Sequence, residues 1–379
     1  MLTRSGVATC ATAAASFAAG RVFGLPELFV VGAALVAAVV LAIAAVTRRR
    51  PVLTVTRTAH PPMVHVGEIA RVDLALHNPT GRRSPSLTAW EAVGAGSVAQ
   101  FRLAPIAPGA TTASSYRVPT SARGHVTIGP LRIDRVDVLG LCAVRTWLTG
   151  SGEVVVVPHV VPLRFPDARS RGPLGEAVRT RAWSRSGTEF HAQREYVPGD
   201  DLRRVNWKAT ARVGDLIVTE RAPESVRHCT VVFDPRLPDG SDGSTFEQLA
   251  SAAASVVTAA ASAEVATRFV APGIDLRGPT VAPDTMRFLA GAAERDEAPD
   301  PLAAGRGTAD GIGLVVLVSA VGSANGWSGP DDITLALMVG EHALSTVGTS
   351  TSRGITVDGT SASTLSASWD RVVHGEVRA

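Results

Sequence analysis

"CTVVFDPRLPDGSDGSTFEQLASAAASVVTAAASA" runs from Cys229 to Ala263. Its first six residues are a short apolar, β-branched run ending in Asp234, as a buried parallel strand reads. A helix follows: Ser244 is placed to cap it while Glu247, three residues on, reaches back as a capping box. Phe246, Leu249, Ala250, Ala253, Val256 and Val257 fall on one helical face. A strand followed by an amphipathic helix is a βα unit, and the pattern repeats downstream. "EVATRFVAP" reads as a strand and "PDTMRFLAGAAE" as a helix with Asp284 as its cap. "GLVVLVSA" and "DITLALMVG" are strands, and "GITVDGTSASTLSASWDRVV" is a last strand and helix. Strands alternating with helices predict an α/β domain with a mainly parallel sheet over residues 229–379. "EAPDPLAAGRGTADG" inside it is a Pro/Gly/Ala-rich surface loop.

Upstream, the periodicity changes to two. "VLTVTRTAH", "EIARVDLALHN", "TTASSYRVPT", "GHVTIGPLRI" and "EVVVVPHVV" are short alternating runs separated by Gly, Pro and Asn turns. No crossover helix intervenes, so residues 51–165 read as an immunoglobulin-like β-sandwich, in architecture only, since a Cys–Trp–Cys hallmark is missing.

The first 50 residues are apolar. Leu28 to Val46 is a run of 19 residues without charge or proline, followed at once by Arg48, Arg49 and Arg50. That length matches the hydrocarbon core of a bilayer. Gly6 to Gly20 is also uncharged, and spans if Arg21 snorkels to the interface. The pair reads as a transmembrane hairpin with helices at about 6–25 and 28–46. A cleaved signal peptide with Arg4 as its basic head is the competing reading of the first segment. Either way the arginine triplet holds the end of the second segment in the cytoplasm by the positive-inside rule. The expected location is the cell membrane, with the soluble domains cytoplasmic.

Composition narrows the function classes. Of 37 basic residues all but Lys208 are arginine, net charge is only +3, and aromatics are 5%. The arginines are spread along the chain, as in a GC-rich genome, not clustered as a nucleic-acid surface requires. Cys10, Cys142 and Cys229 are far apart and odd in number, which implies neither a disulfide framework nor a metal site.

Between the two folded regions, residues 166–228 carry "GTEFHAQREYVPGDDLRRVNWKATAR", Gly187 to Arg212. "VPGDD" reads as a turn: Pro198 fixes φ, Gly199 permits positive φ, and Asp200 bonds to the backbone beyond. One reading makes Glu189, Arg194, Asp201, Arg203 and Arg212 an ion-paired clamp between domains, with Tyr196 and Trp207 as packing. The other makes the stretch a partner surface, given its Trp, Tyr and Arg. Catalysis fits less well. Asp200 and Asp201 are adjacent and need not converge on one bond, as an acid/base pair must. His191 has no ligand spaced for zinc, and with one lysine and no Gly-rich phosphate loop a P-loop ATPase is excluded. No cofactor is implied.

The motif and its setting resemble a bacterial family called domain of unknown function 58, whose C-terminal part is similar to a von Willebrand factor A domain. The family pattern G-x-E-F, R-x-Y-x-P-G-D-D-x-R, a hydrophobic-acidic-Trp triplet and A-R is matched at Gly187, Glu189, Phe190, Arg194, Tyr196, Pro198, Gly199, Asp200, Asp201, Arg203, Val205, Trp207, Ala211 and Arg212. Glu220 and Glu224 continue it. Asn206 stands where an acidic residue is usual. "RVDVLGLCAVR" is similar to the family's D-P-F-G-L element at Asp137, Gly140 and Leu141. The resemblance implies a Rossmann-like von Willebrand A fold for the C-terminal domain. It also implies a non-enzymatic scaffold working with a MoxR-type AAA+ ATPase, often alongside a transglutaminase-like membrane protein. A structural envelope component without an ATPase, or a hydrolase using the Asp200–Asp201 segment, are the alternatives. Von Willebrand A domains that bind Mg²⁺ use D-x-S-x-S after the first strand, where hydroxyls and a carboxylate supply hard oxygen ligands. Here Arg236 and Pro238 occupy the serine positions, so no metal site is expected and Asp234 should be held by Arg236 or a helix terminus.

Overall fold

The computed structural model describes residues 2–47, 52–167, 170–185, 192–198, 205–220, 226–296, 312–320, 332–340 and 355–375. The chain divides into two compact units, Met1–Val157 and Pro158–Ala379.

The first unit opens with α1 (Arg4–Phe23) and α2 (Pro26–Thr47), both long and apolar enough to cross a membrane. Thr3 caps α1 by accepting from the Gly6 amide at 3.0 Å. Gly24 ends the helix in the left-handed region at φ 69°, a conformation only glycine adopts without strain. Pro26 then opens α2 at the first helical position, where its missing N–H costs nothing. The helices pack through reciprocal notches: a Cβ on Gly20 would lie 2.9 Å from the Phe29 ring, and one on Gly32 would lie 2.9 Å from the Phe17 ring.

Nine strands follow. One sheet holds β1 (Thr54–His60), β3 (Ala70–His77) and β6 (Thr111–Val118), all antiparallel. The second is ordered β2 (Met63–His65), β9 (Gly152–Val157), β7 (Gly124–Val136), β4 (Leu87–Val93), β5 (Ser97–Leu103), with β8 (Ala143–Leu148) also on β7. Alternate residues of each sheet share one interior: Leu74 and Leu76 pack with Ala89, Leu131 and Ile133, and Val72 with Ile128 and Val154. Two sheets over a common core make a β-sandwich.

The second unit is built on a six-stranded sheet ordered β14 (Ile274–Arg277), β13 (Ala266–Ala271), β12 (Val226–Phe233), β15 (Ile312–Ser319), β16 (Asp332–Met338), β17 (Ile355–Asp358). All neighbours are parallel except the β13–β14 hairpin. Every residue of β15 is buried, as a strand covered on both faces must be. Helices α5 (Gly243–Ser262), α6 (Val281–Gly291) and α7 (Ala362–His374) connect or flank the strands, and α3 (Pro173–Arg185) precedes them.

Two helix caps differ from the sequence reading. Asp242, not Ser244, caps α5, accepting from the Thr245 amide at 3.1 Å. A carboxylate two residues earlier outcompetes the hydroxyl, and Ser244 instead donates to Asp242 at 2.7 Å. Asp284 lies inside the first turn of α6, and Thr280 holds the cap position without a side-chain bond. α5 also buries more than its predicted face. Ser255 Oγ accepts from the Val161 amide and Ser251 Oγ donates to the His159 carbonyl, so the segment entering this unit lies along a second side of the helix.

Candidate functional site

β10 (Ala192–Glu195) and β11 (Ile217–Glu220) form an antiparallel ribbon in which Arg194 faces Val218. Tyr196 extends it by donating its amide to the Leu216 carbonyl at 2.8 Å. Val205 bridges to Val218, and the Asn206 amide donates to the Ile217 carbonyl at 2.7 Å. From that anchored point α4 (Trp207–Val213) begins. Asn206 caps it: the side-chain carbonyl accepts from the Ala209 amide at 3.1 Å. Asn and Asp cap a helix about equally well, which gives a physical reason for Asn206 where an acid is usual. The position needs an acceptor and no charge. Gly214 closes the helix at φ 92°, and Thr210 Oγ1 accepts from the Ile217 amide at 3.0 Å, tying α4 back to the ribbon.

The inner side of this module is Val205, Ile217 and Val218, all buried. Its outer side is apolar and basic at once. Trp207 is 66% exposed, and Val197, Val213 and Leu216 are exposed with it. Lys208 and Arg212 are exposed on the same short helix. The clamp reading expects Trp207 as packing between domains; within this module its indole lies open.

Of the other sequence-derived residues, Arg194 and Tyr196 are half-buried, with Arg194 Nη1 donating to the Glu195 carbonyl at 3.1 Å. Pro198 is exposed, and Glu220 is the last residue of β11. Gly187, Glu189, Phe190, Gly199, Asp200, Asp201, Arg203 and Glu224 lie outside the described residues.

The carboxyl edge of the parallel sheet carries a second polar cluster. Chain order reverses between β12 and β15, the position where open α/β sheets bind ligands. Asp234 stands there, buried, just past β12. Arg236 closes a two-pronged fork on it, Nε to Oδ1 at 2.9 Å and Nη2 to Oδ2 at 2.8 Å, and adds its backbone amide at 3.2 Å. Ser319, at the end of β15, donates to Oδ2 at 3.2 Å. Asp234 is thus held by Arg236, as the sequence suggests, and its hydrogen bond raises the Arg236 pKa further. An internal cation takes both oxygens that a divalent ion would need.

One feature of the second unit was not read from the sequence. A cavity of about 560 Å³ opens at the amino ends of β12 and β13, lined by His228, Thr230, Arg268, Arg277 and Val281. Asp275 receives Nε and Nη2 of both arginines at 2.8–3.1 Å. The Arg268 and Arg277 forks hold its carboxyl well below the usual range. One carboxylate between two guanidiniums leaves a positive charge in the wall. The hairpin that makes this arrangement joins β13 to β14, and β14, four residues long, was too short to stand out in "PGIDLRG".

Residues 192–269, from the ribbon through α5 and into β13, match the family described as "Protein of unknown function DUF58". The chain carries a DUF58 region. The match takes in the ribbon, α4 and the first βα unit, so the exposed Trp207 patch lies within the DUF58 region. No curated protein matches the chain. Among solved structures, the CARDB domain of the PF1109 protein from Pyrococcus furiosus, solved with di-metal ions, is 16% identical with a TM-score of 0.22, over 28% of this chain and 93% of that one. The putative ApaA protein from Bordetella pertussis is 16% identical with a TM-score of 0.20, over 28% and 94%. Likeness at these scores says nothing of what this chain does.

Proposed function

We propose that this protein is a non-enzymatic, membrane-tethered scaffold or adaptor that works with a MoxR-type AAA+ ATPase in assembling or maturing protein complexes. The observation that carries the reading is the rigidly mounted, exposed Trp207. Large aromatics flanked by cations are the anchors of protein interfaces, and a capped helix on a short ribbon holds this one at little entropic cost. Val197, Val213 and Leu216 add exposed apolar surface to the same module, and Lys208 and Arg212 favour an acidic partner. The α/β unit is read as von Willebrand factor A-like, with the Arg236–Asp234 fork replacing the cation; contacts to partners then need no Mg²⁺ bridge. The hairpin is read as the anchor. Arg48 to Arg50 keep its end, and the domains that follow, on the cytoplasmic side.

Affinity capture with the full chain, anchor intact, from solubilised membranes tests the reading. An AAA+ ATPase should co-purify with it. Capture of envelope proteins with no ATPase would replace this reading with that of a structural envelope component.

A further inference from the structure

We propose that the turn between β7 and β8 is a second lipid contact, its tip of Val138 and Leu139 seated in the membrane interface beside the hairpin. The inference rests on the reading of α1 and α2 as a membrane anchor.

The turn is built onto the foot of both helices. The Thr3 amide donates to the Leu141 carbonyl at 2.9 Å, Thr3 Oγ1 donates to the Gly140 carbonyl at 2.5 Å, and Leu2 bridges to Cys142. A Cβ on Gly6 of α1 would lie 2.1 Å from the Leu141 carbonyl oxygen, so glycine there lets helix and turn touch. Leu141 and Cys142 pack with Val39, Ala42 and Val46 of α2. Those three residues span about 10 Å of helix, and Val46 ends the uncharged run. A run of that length fills the hydrocarbon core from one side to the other. Whatever packs from Val39 to Val46 therefore lies between the acyl–headgroup boundary at Val46 and about 10 Å inside it.

The turn suits that depth. Asp137 is consumed internally, accepting from the Leu139 amide at 2.8 Å and the Cys142 amide at 2.5 Å. Gly140 takes φ 71° to complete the loop. The backbone polar groups are thus largely satisfied before any lipid is met, as apolar surroundings require. What remains at the tip is hydrocarbon: Val138 is fully exposed and Leu139 is 64% exposed, with Val136 exposed behind them. At the interface they add buried apolar area next to an existing anchor. Arg145, three residues up β8 and largely exposed, comes level with the phosphates when the tip is in the acyl boundary.

The test places a reporter at the tip. Cys10 is exposed while Cys142 and Cys229 are buried, so Cys10→Ala leaves a background in which Leu139→Cys can be labelled selectively. The full chain, carrying an environment-sensitive fluorophore there, is reconstituted into phosphatidylcholine/phosphatidylglycerol vesicles. Val98→Cys, exposed on β5, serves as the aqueous control. The expected result is blue-shifted emission at position 139, quenching by lipids spin-labelled near the headgroup, and several-fold less quenching by aqueous iodide than at position 98. A chain that floats with vesicles but shows equal iodide quenching at both positions overturns this inference alone. A chain that fails to float overturns the anchor and this inference together.

Discussion

Arg57 on β1 and Glu91 on β4 meet in the sandwich interior, both almost completely buried, with Arg57 Nε bonded to Glu91 Oε1. Tyr116 on β6 donates its hydroxyl to the other Glu91 oxygen at 2.8 Å. Burial, and then that carboxylate, push the Tyr116 phenol far above its ordinary pKa, so it stays a donor at any pH of interest. The triad joins the two sheets by charge inside the sandwich. Removing one member of such a group leaves a buried charge uncompensated, a larger effect than the net worth of the pair. Glu91→Ala should cost about 3–5 kcal/mol, whereas Tyr116→Phe should cost about 2 kcal/mol, the scale of one bond to a charged group. Denaturant melts of the two variants check the ratio. Cys229 makes a second prediction at this scale. Burial pushes its thiol up to about 12, against about 8.5 in an unfolded chain. The folded state therefore holds the proton more tightly, and its stabilising effect is complete below the unfolded value. It is lost as pH rises toward the folded one, at up to about 1.4 kcal/mol per pH unit. Cys229→Ala should flatten the stability profile in that alkaline window; an unchanged slope would show that the thiol is not what titrates.

Among the elements, the hairpin helices depend on glycine for their close packing. Gly20 and Gly32 admit the Phe29 and Phe17 rings, whose centroids lie 6.1 Å apart. Gly32→Leu should separate the helices at an overpacking cost of about 1–3 kcal/mol, seen as loss of crosslinking between cysteines placed across the α1–α2 pair. The same elements show what a sequence discloses. β3 and β15 were readable because each has one clear period, alternating in one case and continuous in the other. β4 was not. "LTAWEAV" is rich in helix-forming Ala and Glu, and its Glu91 is there to meet Arg57, a tertiary demand that overrides local propensity. α4 was hidden for a different reason: seven residues give no helical period, and only the Asn206 cap and Gly214 mark its ends. Asp234 and Arg236 were legible because they are two residues apart at a strand end. The Asp275 forks join Arg268 and Arg277 across a hairpin, a pairing visible only once β14 is known to turn back on β13.

As proposed, the whole molecule is a tethered body whose working surface lies within residues 192–269. The positive-inside rule makes orientation a prediction independent of the partner: a reporter fused after Ala379 should be active as a cytoplasmic fusion and silent as a periplasmic one. The claim that matters most is that Trp207 faces a partner and not a domain seam. Trp207→Ala, measured in the full chain for both thermal stability and ATPase binding, separates the two. As a surface substitution it should leave stability within about 0.5 kcal/mol, while the loss of an interface anchor should weaken binding by about 2 kcal/mol, roughly thirtyfold. A variant that binds the ATPase normally but loses about 3–5 kcal/mol of stability, the scale for a buried aromatic, would contradict the account.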